Sequence, residues 1–507
     1  MTTFSRLAQV LGSGVIVAGL AAHAAAADEI ASGGLGLAQV VKVTLSASPE
    51  LKLAAAQLEI ADGALTVSRG VFDLTLTTTA TASRTNLLDG TGAPAVEKDL
   101  IYTAGAQRLL RNGVLVTSEV SLTRSLLSHS LGVNTDIADV RLGVAIPLLR
   151  DRGGASSAAA EQAAATDHEA ARWGLRHTAA QQVLAAVADY WDYQAANQRL
   201  EVLRSSEARA ERMVEQTRAL VEADERTPAD LIQLRGNAAS KRVTRISAEQ
   251  DLINARITLG LAMGLPADAT AALPPPATAF PGPGGGAGRL DASRLVEQAY
   301  QRRADLAAAD QDTRSASIRL EAARSDLRPR LDLILDTGYR ATEADDGIER
   351  FFWTVNQREP RLDGLVELRL DLPLSNSAAR GHVVQSSAAH EQRDIARDDL
   401  RRRIAAGVAL GLEAVAHAEA AMLESAEAVR LFEAGVQAVQ RKFQVGATTL
   451  FDLIQAQDAL TGALLSQVQS QHDYAVAIAA LRFQSGLLVE GDRDAFLVPV
   501  ANLVIPP

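Results

Sequence analysis

The sequence predicts a mixed architecture of long helices and period-two strands built on a tandem structural repeat, the elements that a membrane β-barrel joined to a long α-helical barrel would use. Three observations predict it. The chain repeats itself at long range, both halves contain strands alternating with period two, and both contain helical segments of great length.

The first element is an export signal. Arg6, the apolar stretch from Leu7 to Ala22 and the small-residue run Ala25-Ala26-Ala27 before Asp28-Glu29 read as a signal peptide over residues 1–27, cleaved after Ala24 or Ala27. An anchoring helix is the alternative, but the glycine-interrupted segment is short of the roughly 20 apolar residues a span needs. Nothing downstream reads as a spanning helix, so membrane insertion must use strands.

Composition narrows the class. With 22% charged and 47% hydrophobic residues the chain is neither disordered nor a polytopic helical membrane protein. A formal charge of -11 repels nucleic acid, so no DNA or RNA partner is expected. The absence of cysteine excludes disulfides, thiolate metal sites, a cysteine nucleophile and a lipidated cysteine.

The duplication is read from several pairs. VRLGVAIPL at Val140–Leu148 parallels VELRLDLPL at Val366–Leu374. Asp230-Leu231-Ile232-Gln233 recurs as Asp452-Leu453-Ile454-Gln455, and Met263-Gly264-Leu265 matches Ser485-Gly486-Leu487. The expected organisation is a first repeat over 28–265, a Pro/Gly-rich linker over 266–290, a second repeat over 291–488 and a tail over 489–507. Each repeat reads helix, strands, long helix, turn, helix.

The long helices run from about Ala155 to Val221 and from about Ala378 to Val445 without proline. At 1.5 Å per residue each spans on the order of 100 Å. In the second, Leu412, Val415, Ala418, Met422, Val429, Phe432, Val436, Val439 and Phe443 make a coiled-coil-like seam. Alanine at neighbouring positions suits a ring of helices, although an ordinary bundle explains any one of them.

In the strands, Leu331, Leu333, Leu335, Thr337 and Tyr339 oppose Asp332, Asp336 and Arg340, and Val366, Leu368, Leu370 and Leu372 oppose Glu367, Arg369 and Asp371. Lipid outside and water inside produces this pattern, as does a half-buried soluble sheet. Pro147 and Pro373 mark the strand-helix junctions. The first half has extra residues, with Val114, Val116, Val120 and Leu122 alternating after an Asn112-Gly113 turn signal, so each copy carries four or six strands.

No catalytic constellation and no cofactor site is found. The glycine run at Gly284-Gly285-Gly286 lacks the lysine and Ser/Thr of a P-loop, and the dipeptides His168-Glu169 and His390-Glu391 lack the second histidine of a zinc motif.

The signal peptide, the tandem halves, the helix-strand-strand-helix order and the segment FQVGATTLFDLIQAQ from Phe443 together resemble the TolC-like outer-membrane efflux channel family over essentially the whole mature chain. Phe443, Val445, Gly446, Asp452, Leu453, Tyr474 and Leu481 carry the resemblance, and the matching positions of the first half read Val221, Ala223, Asp224, Asp230 and Leu231. The resemblance implies a homotrimer sharing one barrel in outer-membrane lipid, with a helical tunnel in the periplasm. It also implies a tip turn at Phe443, Val445 and Gly446 facing a periplasmic adaptor of an inner-membrane pump. On that basis Asp230 and Asp452 are expected to form carboxylate rings at the tip constriction. A first-turn acid at a helix N-terminus is the other reading of both. The expected function is a passive exit duct for an efflux pump or type I secretion system. A periplasmic coiled-coil adaptor or scaffold without a pore is the alternative.

Overall fold

The computed structural model describes residues 34–88, 92, 94–128, 135–224, 226–284, 291–343, 361–490 and 496–507. The expected signal peptide lies outside them. The elements in order are α1 (Leu37–Ala47), α2 (Pro49–Gly70), β1 (Thr75–Leu88), β2 (Pro94–Leu109), β3 (Leu115–Ser128), β4 (Thr135–Pro147), α3 (Ala159–Glu222), α4 (Pro228–Ala262) and the short α5 (Ala267–Ala271). There follow α6 (Ala292–Arg302), α7 (Ala304–Asp326), β5 (Arg330–Glu343), β6 (Arg361–Asp371), α8 (Ser377–Gln444) and α9 (Leu450–Gln484). The two return helices α4 and α9 are each 35 residues long.

The chain forms two compact units, and each draws on both halves. One comprises Met1–Gln57, Arg172–Ala307 and Asp398–Pro507; the other comprises Leu58–Ala171 and Ala308–Arg397.

The first unit is helical. Its main core joins Val183, Val187, Tyr190 and Trp191 of α3 to Ala475 and Ala479 of α9, Leu259 of α4 and Val40 of α1. Trp191 is fully buried, and truncating such a residue to alanine costs about 3 to 5 kcal/mol. The proline-rich segment between the halves packs onto this core. Leu35 bridges to Pro276, while the Tyr190 hydroxyl donates to the Leu35 carbonyl at 3.0 Å and accepts from the Thr278 N–H at 2.9 Å. The tail is held similarly, with Arg482 donating to the Ile505 carbonyl at 2.8 Å. Tyr474 and Leu481 are fully buried.

α4 and α9 end alike. Gly264 and Gly486 both close their helices at φ +71°, the left-handed turn a helix C-terminus favours. A Cβ on Gly264 would lie 2.7 Å from the Ala47 carbonyl, and one on Gly486 would lie 3.0 Å from Arg302. Each return helix therefore abuts the start of another helix, α4 against α2 and α9 against α7.

The seam expected along α8 is buried at Val415, Met422 and Val429, with Leu412, Ala418 and Val436 packed against their clusters and Val439 and Phe443 against a further cluster of Met213, Leu234, Leu450 and Leu453. Phe432 departs from the expectation: it is 44% exposed. A further difference concerns spanning helices. By length and composition alone α8 contains an 18-residue window apolar enough to cross a membrane, at mean hydropathy 1.3. Alanine raises hydropathy without adding bulk, and Val408 and Val415 of the same helix are core residues, while 17% of the window is buried.

The second unit is built on one six-stranded antiparallel sheet in the order β1-β2-β3-β4-β5-β6. Of the two strand counts left open by the sequence, six is the one found among the described residues. The extra segment of the first half is the β2-β3 hairpin. Its turn is closed by Gly113 N–H to the Leu110 carbonyl at 2.9 Å, with Asn112 Oδ1 accepting from the Val114 N–H at 3.1 Å. Gly113 takes φ +86°, which accounts for glycine after asparagine here.

Candidate functional site

Two features of the chain are candidates for function. One is the pair of helix-helix turns in the helical unit, and the other is the sheet with its faces and edges.

At the turns, the hairpin α3-α4 and the hairpin α8-α9 share one apolar cluster. Met213 and Val214 of α3, Leu234 of α4, Val439 and Phe443 of α8, and Leu450, Leu453 and Ile454 of α9 meet there. This brings Asp230 and Asp452 to the same end of the unit. Each is the third residue of its helix behind a threonine cap, with the Asp230 N–H donating to Thr227 Oγ1 at 3.4 Å and the Asp452 N–H to Thr449 Oγ1 at 3.2 Å. The Asp452 carboxylate also accepts from the Thr448 hydroxyl at 2.8 Å, the Thr449 hydroxyl at 2.6 Å and the Thr449 N–H at 2.9 Å. Those bonds to Thr449 and Thr448 hold its pKa below the usual carboxylate value. Phe443 is half-buried in the cluster, with the Arg226 guanidinium 4.8 Å from its ring centroid. Val445 is 79% exposed, and Gly446 has open space around it.

On the sheet, the register carries the alternation through all six strands. Leu370, Leu368 and Val366 of β6 stand opposite Leu331, Leu333 and Leu335 of β5, which align with Ile146 and Val144 of β4. The same face continues through Val116, Val120 and Leu122 of β3 to Ala104 and Tyr102 of β2. The other face bears Arg369, Glu367, Asp336, Arg340, Asp139, Arg141, Glu119, Ser121 and Thr103. Several of its charges are mutually paired: Asp139 takes both Arg141 at 2.8 Å and Arg340 at 2.8 Å, and Arg369 meets Glu367 at 2.9 Å. One ion pair, Arg124 with Asp136 at 3.4 Å, lies buried on the apolar face. β1 and β6 each have a partner on one side only.

The strand-helix junctions lie beside the sheet. Pro147 is the last residue of β4, and Pro373 follows β6 by two residues. The β2-β3 turn docks at the first junction, where Arg111 makes two bonds to Glu161, at 2.6 and 2.9 Å, and stacks 5.0 Å over Phe72. An adjoining cavity of about 440 Å³ is lined by charges already partnered, Arg150 with Asp326 at 3.0 Å and Arg330 with Asp332 at 2.6 Å.

Among the described residues no cluster of three or more histidines and acids could hold a metal ion. His390 faces Asp394 at 3.4 Å, where a zinc motif would place its second histidine.

Sequence reasoning missed the exposed apolar stripe on α4, where Val243, Ile246, Ile253, Ile257 and Leu261 fall at helical spacing and all face solvent. The signal was legible as steps of three, four and seven residues. It also missed the Arg111-Glu161 contact, for which the two residues' separation in sequence offers no local sign.

Residues 295–487 match the model of the outer membrane efflux protein family. No curated protein matches the chain. Among solved structures, the chain resembles the CmeC outer-membrane channel of Campylobacter jejuni at TM-score 0.65 and 13% identity, covering 89% of this chain and 85% of that one. It resembles the outer membrane protein VceC of Vibrio cholerae at 0.65 and 16%, covering 89% and 96%. It also resembles the open state of the MtrE outer-membrane channel of Neisseria gonorrhoeae at 0.61 and 16%, covering 89% of each.

Proposed function

We propose that this chain, an outer membrane efflux protein by its second-half domain and TolC-like in fold, works as a homotrimer. Proteins of this family are conduits of the outer membrane rather than enzymes. The trimer forms a channel-tunnel, a passive exit duct for an efflux pump or type I secretion system, with its helices in the periplasm.

The observation that carries this reading is the pair of open edges. α2 runs into β1 and β6 runs into α8, and each edge strand leaves a row of backbone N–H and C=O groups unpaired. Such an edge is not tolerated against lipid. Seating β6 of one copy on β1 of the next satisfies both rows, and repetition closes a ring. The flanking helices support the same contact, since Ile60 and Val67 of α2 and Val384 and Ile395 of α8 are exposed apolar residues. In the helical unit the α4 stripe and the exposed Leu410 and Leu431 of α8 need cover of the same kind. A pore-less periplasmic adaptor would have no use for a sheet with one apolar face and two unpaired edges.

In this trimer the turn at Phe443, Val445 and Gly446 faces the adaptor of an inner-membrane pump, and Asp230 and Asp452 ring the constriction. The low pKa of Asp452 supports a charged ring at neutral pH.

The chain has no cysteine, so paired cysteines report cleanly. Thr77→Cys or Thr79→Cys on β1, combined with Asp363→Cys or Leu365→Cys on the same face of β6, should yield covalent trimers in isolated outer membranes. Recovery of the mature protein as a soluble periplasmic monomer would overturn the reading.

A further inference from the structure

The β2-β3 hairpin is built as wall and not as decoration. β1 and β2 share a ladder from Thr75↔Gln107 to Leu88↔Pro94, β2 and β3 one from Leu109↔Leu115 to Val96↔Ser128, and β3 and β4 one from Leu115↔Ala145 to Ser125↔Thr135. No strand of the six is skipped or paired at its end alone. The alternation continues through the hairpin without change of face. Val116, Val120 and Leu122 lie on the apolar side with Tyr102, while Thr117, Glu119, Ser121 and Thr103 lie on the polar side. A hairpin standing free in water on both faces has no reason to keep that belt.

The turn is also fixed from below. A Cβ on Gly154 would lie 1.8 Å from the Arg111 carbonyl, and one on Gly113 would lie 2.8 Å from the Asp151 carbonyl. The Arg111-Glu161 pair and the Phe72 stack close over it, and Arg108 Nε donates to the Phe72 carbonyl at 3.1 Å. The turn therefore seats at the strand-helix junction itself, level with Pro147.

We infer that three copies close a barrel of eighteen strands, six from each, with the β2-β3 hairpins as part of its wall. The inference rests on the proposed ring and adds the number of strands to it. Barrel diameter grows nearly in proportion to strand number, so the outer mouth is about 1.5 times as wide as twelve strands, four per copy, would make it. Because each copy brings an even number of antiparallel strands, β6 can meet the next copy's β1 antiparallel all round the ring. The partner on each open edge is a second copy of this chain.

The test uses the full-length protein purified as its membrane assembly. Images of the barrel in cross-section should show eighteen strands and a diameter about 1.5-fold that of a twelve-stranded barrel. In parallel, Thr123→Cys with Ile137→Cys should cross-link β3 to β4 in isolated outer membranes, and Thr79→Cys with Ile137→Cys should not. A trimer with twelve strands, or efficient cross-linking of Thr79→Cys to Ile137→Cys, would overturn the inference and leave the ring standing. A soluble monomer would overturn both.

Discussion

Asp224 and Gly446 occupy equivalent positions of the two repeats, and both take left-handed backbone, with φ of 52° and 74°. Each follows the last turn of a long helix, the Asp224 N–H bonding the Val221 carbonyl and the Gly446 N–H the Phe443 carbonyl, both at 3.1 Å. The two turns thus have one backbone solution and two residues to fill it.

Glycine meets that conformation at no steric cost, whereas an L-residue carries a penalty of about 1 to 2 kcal/mol, eased somewhat for aspartate. Asp224→Gly is expected to stabilise the first turn by about 0.5 to 1 kcal/mol, and Gly446→Ala to destabilise the second by about 1 kcal/mol. Hydrogen exchange at the two turns should read both changes. Equal protection in all three proteins would refute the strain argument.

Asp452→Asn separates charge from capping. The amide keeps an acceptor for the Thr448 and Thr449 donors that now bind the carboxylate, while the negative charge is lost. Clustered carboxylates in a narrow passage attract cations. If Asp452 lines the constriction of the proposed trimer, the mutant in planar bilayers should be less cation-selective and less readily blocked by multivalent cations from the periplasmic side. Selectivity and block equal to those of the parent would reduce Asp452 to a helix-start residue.

Leu368 and Arg369 are neighbours on opposite faces of β6, and Leu368 is 63% exposed. With the apolar face toward lipid, Leu368→Arg should impair insertion by about 2 to 4 kcal/mol per copy, and Arg369→Leu should insert normally. Outer-membrane yield of the folded assembly is the measurement. If Arg369→Leu were the more damaging change, the two faces would be assigned the wrong way round.

The contact of α3 with α9 carries a pH dependence. His472 lies 2.8 Å from Asp192 and 3.0 Å from Asp473, and the hydrogen bond and charge of Asp192 raise its pKa above the ordinary 6.5. A raised histidine stabilises the fold fully below the unfolded value and loses that contribution as pH climbs through the folded one. One turn away, burial and the nearby Asp192 push Asp189 up to about 6, so its favourable protonated form is also lost on raising the pH. The melting temperature should accordingly fall between pH 5.5 and pH 8. His472→Gln combined with Asp189→Asn should flatten that slope, and an unchanged slope in the double mutant would place the titration elsewhere.

Much of the architecture was legible because the repeat displays it twice. The Asp-Leu-Ile-Gln pair marked two helix starts that prove to be capped by Thr227 and Thr449 alike, and the two Gly-Leu pairs marked two left-handed helix ends. Period two assigned the faces of β5 and β6 before any register was known. What stayed illegible is relational. No local pattern in β2 and β3 says whether a hairpin joins a wall, since alternation looks the same on either side of that question. Phe443 reads as part of a tip turn, and no local pattern shows that its ring is also held within the cluster joining both hairpins, a contact between segments more than two hundred residues apart.

Of the five strand pairings, four connect neighbours in the chain, and only β4-β5 reaches across it, setting Pro147 opposite Asp332 and Asp136 opposite Glu343. Between those strands lie the whole of α3 and α4 and the proline-rich segment. Hairpins close in microseconds, but a pairing of such high contact order must wait for the intervening chain to be placed. A sheet of the first four strands alone would therefore carry an exposed β4 edge until β5 pairs with it. Completion of the sheet is therefore gated by β5 and β6, and a chain truncated before Arg330 would leave β4 as an unpaired edge for holding chaperones to shield.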